Sequence, residues 1–127
     1  MAVNIFDFID TSKRLRKKNI YFQYSTSEQF TGEYWTDGSK IYCKTISVGA
    51  LNSTTKQVAH GISNLKRVIK FEGYATNNGV YVSIPRGHLD NEYDAIGVEA
   101  NSSMLTVRAG MNNVFTSCHI TIYYNKN

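Results

Sequence analysis

The chain has 127 residues, which fits one domain with a core that needs no staples. Apolar residues make up 42%, a single Pro stands against nine Tyr, and this excludes a disordered chain and favours a β-rich one. The net charge is +4, but Lys13, Arg14, Arg16, Lys17 and Lys18 supply five of the fourteen basic residues, so the basicity belongs to one run and not to a nucleic-acid-binding face.

Residues 1–20 differ from the rest. Val3, Ile5, Phe6, Phe8 and Ile9 form a short apolar patch ahead of the basic run. Phe6 and Ile9 are one helical turn apart, but a segment this short is not stable alone. We read it as a docking segment that contacts another protein through Phe6, Phe8, Ile9, Arg14, Arg16 and Lys17; the bland alternative is a frayed terminus or a strand of its own subunit. No aromatic stacking motif accompanies the basic run, so direct nucleic-acid binding is not expected. The first residues carry two acids within their apolar part and no basic leader, so they do not read as a signal peptide. No apolar stretch approaches the roughly 20 residues of a membrane span, so synthesis in a cytoplasm without membrane insertion is expected.

Residues 21–127 read as successive strands. The first is expected at 21–25. Segments 33–36 and 40–48 flank Asp37-Gly38, a hairpin signal because Gly supplies positive φ without steric cost. In the return strand Ile41, Cys43 and Thr45 alternate with Tyr42, Lys44 and Ile46, which suits a strand covered on both sides. Residues 49–56 read as a polar loop. A strand is expected over 66–75, with Val68 facing away from Ile69, Phe71 and Gly73, and the Asn77-Asn78-Gly79 turn leads into another at 80–84. Residues 88–93 read as an exposed loop. A third hairpin spans 95–109 across Asn101-Ser102-Ser103, and the last strand, 115–124, places Cys118, Ile120, Ile122 and Tyr124 on one face. Eight or nine short strands with polar turns predict an all-β, antiparallel β-sandwich of jelly-roll-like type, preceded by a short segment outside the sandwich.

The candidate chemistry is sparse. His88, Asp90, Glu92 and Asp94 alternate along one loop, but Ala95 stands where an EF-hand needs Gly, so a solvated loop is expected and not a metal site. His60 lacks an identifiable nucleophile and acid, so it reads as a structural histidine bonded to a neighbouring loop. His119 is expected to face outward or to meet a neighbouring subunit. Cys43 and Cys118 have no metal spacing and read as buried free thiols, with a disulfide as the minority alternative. No catalytic residue, cofactor or metal is expected. Trp35 reads as a core anchor or, alternatively, as a sugar-stacking platform, and Trp35, His88, Asp90, Glu92 and Tyr93 are the candidate binding residues.

The run from Tyr24 to Ile46, YSTSEQFTGEYWTDGSKIYCKTI, resembles small domains at the distal ends of bacteriophage fibre proteins. The stretch TTKQVAHGISNLKRVIKFEGYA at 54–75 and the closing ITIYY at 120–124 are similar to the same family, so the likeness covers 24–124. Ser39 departs from it, standing where the family often has Lys. The resemblance implies a structural virion protein without enzymatic activity: a homotrimeric β-sandwich on the particle surface, contacting other virion proteins through residues 1–20. With about 20 residues before the domain, it points to a head fibre or capsid decoration more than to a long tail fibre. Loops 49–56, 86–94 and 101–103 are then candidates for contact with a host surface glycan or protein. The alternative is a monomeric carbohydrate-binding module.

Overall fold

The computed structural model describes residues 24–87, 95–111 and 113–127. Every element among them is a strand: β1 (Gln29–Tyr34), β2 (Lys40–Ser47), β3 (Leu51–Asn52), β4 (Thr55–Ala59), β5 (Leu65–Asn77), β6 (Val80–Ile84), β7 (Ile96–Ala100), β8 (Met104–Ala109), β9 (Val114–Phe115) and β10 (Ser117–Lys126). They form a five-stranded sheet β1-β2-β10-β5-β6, a three-stranded sheet β4-β8-β7 and a short pair β3-β9. All pairs are antiparallel, as the sandwich expectation requires.

One pairing organises the rest. β2 runs against β10, β3 against β9, and β4 against β8. Between these pairs Val48 N donates to Cys118 O at 2.8 Å and Ser53 N donates to Asn113 O at 2.9 Å. The chain segments 42–59 and 104–124 therefore make one long ribbon. It leaves the larger sheet at one end and enters the smaller one at the other, in the manner of a jelly roll.

The core lies between the two sheets. Cys118, Ile120, Ile122 and Tyr124 of β10 point into it and are completely buried, as their alternation predicts. They meet Ile46 from β2, Val48 just after it, Ala75 from β5, and Leu105 and Val107 from β8. The opposite side of β2 and β10 carries a second, smaller cluster of Ile41, Cys43 and Tyr123, covered by Trp35 and Ile69. β2 is thus covered on both sides, as expected, but the cover comes from the same chain and needs no second subunit.

The turns follow their residues. Gly38 has φ +84°, its N–H donates to Trp35 O at 2.9 Å, and Trp35 N donates to Ser39 O at 2.8 Å, so three residues close the hairpin. Asp37 Oδ1 accepts from Ser39 N at 2.9 Å and fixes the turn. Asn78 and Gly79 both have positive φ and join β5 to β6 in a two-residue turn. Asn101 Oδ1 accepts from Ser103 N and Met104 N at 3.0 and 2.8 Å, which closes the β7–β8 hairpin.

Four strand expectations are corrected. The strand before the Asp37-Gly38 turn is β1, Gln29–Tyr34, and not 33–36, because Trp35 and Thr36 already belong to the turn. Tyr24 and Ser25 are not in a strand, although Ser25 O accepts from Thr45 N at 2.8 Å; residues 21–23 lie outside the described residues. Segment 49–56 is not simply a polar loop, because it holds β3 and the start of β4, and Leu51 is buried. Val68 does not face away from Phe71. The register between β5 and β10 shifts between Val68 and Lys70, leaving Ile69 as the extra residue, so Val68 and Phe71 both pack on the main core while Ile69 joins the smaller cluster.

His60 is buried and structural, as expected. Its Nδ1 accepts from Ile62 N at 3.0 Å, which places the ring proton on Nε2, and this donates to Asn101 O at 2.8 Å. His60→Ala strands both backbone groups, and a loss of about 3 kcal/mol is expected in urea unfolding. A loss below about 1 kcal/mol would show that the ring does not hold the loop. Gly73 tests the contact between β5 and β10. A Cβ there would lie 2.0 Å from the backbone oxygen of His119. Gly73→Ala is expected to cost about 2 kcal/mol or more, whereas Gly97→Ala, which meets nothing within 4 Å, should change stability by less than about 0.5 kcal/mol.

Candidate binding face

The two sheets differ on their outer sides. On the smaller sheet Gln57 Nε2 donates to Thr106 Oγ1 at 3.3 Å, and Arg108 pairs with Glu99 across β7 and β8. That is a polar ladder in which Gln57, Arg108 and Glu99 are exposed and Thr106 is buried. The outer side of the larger sheet is aromatic. Tyr24, Tyr74 and Tyr81 line it and are each exposed by 41% or more.

This face holds two shallow hollows. The first, of about 650 Å³, has Ile41, Ile69 and Tyr123 among its lining residues, together with Tyr34, Trp35 and Glu33. The hairpin places Trp35 at its side. There Trp35 is half-buried against the smaller cluster, and the Arg67 guanidinium lies 5.8 Å from its ring centroid. Arg67 is itself held by Asp37 Oδ2 at 3.2 Å and Asn125 Oδ1 at 3.0 Å. Trp35 thus packs on the smaller cluster and also lines the first hollow.

The second hollow, of about 530 Å³, is lined by Tyr24, Thr45, Glu72, Gly73, Tyr74, His119 and Thr121. His119 lies directly opposite Tyr74 in the β5–β10 register, and the two rings are 5.4 Å apart. Tyr81 of β6 continues the row at 5.6 Å from Tyr74. Thr45 and Thr121 face each other across β2 and β10 with their hydroxyls 2.8 Å apart.

Glu72 stands between the hollows. Its Oε1 accepts from Tyr123 Oη at 2.6 Å and from Tyr24 Oη at 3.1 Å. Lys70 Nζ is 4.0 Å from its Oε2 and 4.4 Å from the Tyr123 ring centroid. The Tyr123 bond holds the Glu72 pKa below its ordinary value, and burial and the carboxylate together push the Tyr123 phenol far above its own. A parallel arrangement lies on the other side of β10. Tyr124 Oη donates to Glu28 Oε1 at 2.5 Å, and Lys126 Nζ donates to Oε2 at 3.0 Å. Burial opposes ionisation of Glu28, but these two bonds outweigh it and lower its pKa.

The thiols of Cys43 and Cys118 are buried and free, and burial pushes each pKa up to about 11, so neither is a reactive thiolate. Among the described residues no group of three or more His, Cys, Asp or Glu can hold a metal ion. Of the expected binding residues, His88, Asp90, Glu92 and Tyr93 lie outside the described residues, as do Phe6, Phe8, Ile9, Arg14, Arg16 and Lys17 of the docking segment. Tyr24, Glu72, Tyr74, Tyr81, His119 and Thr121 were not singled out as binding residues in the sequence. Alternation along each strand hints at them, but only the strand register brings them together. No family model, curated protein or solved structure matches the chain, and what is established is an all-β, sandwich-like fold with an aromatic outer face.

The carboxylates set a pH dependence. Glu72 and Glu28 have folded pKa values below the ordinary 4.5, and hydrogen bonds with Ser39 hold Asp37 below its ordinary 3.8. Their contribution is in place above those ordinary values and is lost as pH falls through the lower folded ones. The melting temperature is therefore expected to be level between about pH 5 and pH 8 and to fall on the acid side, while the raised pKa values of Cys43, Cys118 and Tyr123 lower it again above about pH 9. In Tyr123→Phe the acid-side fall should be shallower. An equal fall in both proteins would show that the Tyr123–Glu72 bond carries no linkage.

Proposed function

We propose that this chain is a structural protein of a bacteriophage particle. It is a small trimeric β-sandwich, a fibre end or capsid decoration, held to other virion proteins through residues 1–20 and contributing to host-surface attachment. In this reading it is not an enzyme.

The observation that carries the reading is the contrast between the outer faces. Solvent alone accounts for the polar ladder on β4, β8 and β7. It does not account for three exposed tyrosines on and beside the outer side of the larger sheet, because aromatic side chains with one apolar and one wet end are the residues of interfaces. The resemblance of residues 24–124 to fibre-end domains gives that interface its setting. Phe30, Tyr34 and Tyr42 add a second aromatic strip along the free edge of β1, with ring centroids 5.6 and 6.1 Å from Phe30, and this strip suits contact between subunits.

Light scattering after size-exclusion chromatography tests the assembly. The full chain is expected at three times its 14.4 kDa mass. A monomer at micromolar concentration would overturn the trimer and favour the free carbohydrate-binding module.

A further inference from the structure

We infer that the second hollow, between Tyr24 and the Tyr74–His119 pair, binds a neutral oligosaccharide. The inference rests on the attachment part of the proposed function and gives it a ligand and a place.

Recognition of a neutral sugar needs three things: a ring face to stack on, fixed acceptors and donors for hydroxyls, and a floor low enough to admit the sugar. Tyr81, Tyr74 and His119 form a continuous row across β6, β5 and β10, each ring 5.4–5.6 Å from the next. Their C–H-rich partners are the apolar faces of pyranose rings laid along the row. Tyr74 and Tyr81 are 41% and 68% exposed, so the stacking surface is open among the described residues.

The polar groups are already fixed. Two phenols hold Oε1 of Glu72, and Lys70 Nζ lies 4.0 Å from Oε2 of this part-exposed side chain. An ionised carboxylate oxygen held in this way accepts from a pair of vicinal hydroxyls without first losing side-chain freedom. At the floor, Thr45 and Thr121 share one hydrogen bond between two hydroxyls, so the pair keeps one O–H to donate. A volume of about 530 Å³ lies within the usual range for small-ligand sites.

Charge favours a neutral ligand over a cationic one. Glu72 is balanced by Lys70, so the rings do not surround an uncompensated negative group. Trp35 takes no part, since it belongs to the other hollow.

The test is binding of the full chain to an immobilised panel of neutral glucan, galactan, mannan and N-acetylglucosamine hexasaccharides, with trimethylammonium and sulfated hexasaccharide probes alongside. At least one neutral hexasaccharide is expected to bind. Tyr74→Ala should weaken that binding by about tenfold or more, the effect of truncating an aromatic contact. Glu72→Gln, which keeps the side chain's shape, should weaken it too, while Tyr34→Ala on the first hollow should leave it unchanged. No binding to any neutral probe, binding only to the trimethylammonium or sulfated probe, or binding indifferent to both Tyr74→Ala and Glu72→Gln would each overturn the inference. Light scattering on the same samples separates the two proposals. A trimer that ignores the sugars removes the groove and leaves the assembly, whereas a monomer that binds them removes the assembly and leaves the groove.

Discussion

The fold depends on one long antiparallel pairing between segments far apart in the chain. Thr45 and Thr121 meet across it although 76 positions separate them. Closing so large a loop is costly in entropy before any contact repays it, so the ribbon must be stabilised along its whole length. That is why β10 is buried almost end to end. It lies between β2 and β5, hydrogen-bonded on both edges, with the main core on one side and the smaller cluster on the other. The second sheet is the same ribbon continued, and β5, β6 and β7 complete what the ribbon begins.

Much of this was legible from residue pattern. The Asp37-Gly38 and Asn78-Gly79 turns, the hairpin across residues 101–103 and the inward run Cys118, Ile120, Ile122, Tyr124 follow from φ preferences and period-two alternation. What pattern could not show was continuity. β3 is two residues long and buries only Leu51, so its composition is that of a loop, and its partner β9 fixes it from outside. The bulge at Ile69 is likewise invisible, because an extra residue leaves no mark on alternation except to invert it, and Val68 was therefore assigned to the wrong side.

The candidate face was less legible than the fold. Trp35 drew attention as the single Trp, and it packs beside Arg67 on the smaller cluster at the side of the first hollow. The aromatic row is assembled from three strands, and Tyr74, Tyr81 and His119 are unremarkable in their own segments. Their meeting depends on the β5–β6 and β5–β10 registers, which only tertiary pairing sets. The polar part of the face has the same origin: Glu72 is placed beside Tyr123 by pairing and beside Tyr24 by the way the chain enters the sheet.

That entry has a mechanical meaning. Tyr123 and Tyr124 are consecutive and point to opposite sides of β10. One is tied through Glu72 to Tyr24, and the other directly to Glu28. Residues 24–28 thus grip the last strand from both sides, while Ser25 bonds β2. A pull on the chain from the N-terminal side would arrive at these bonds together and not one after another. The load would pass at once into the two best-buried strands of the ribbon, and the exposed edge strand β1 would be spared from peeling first.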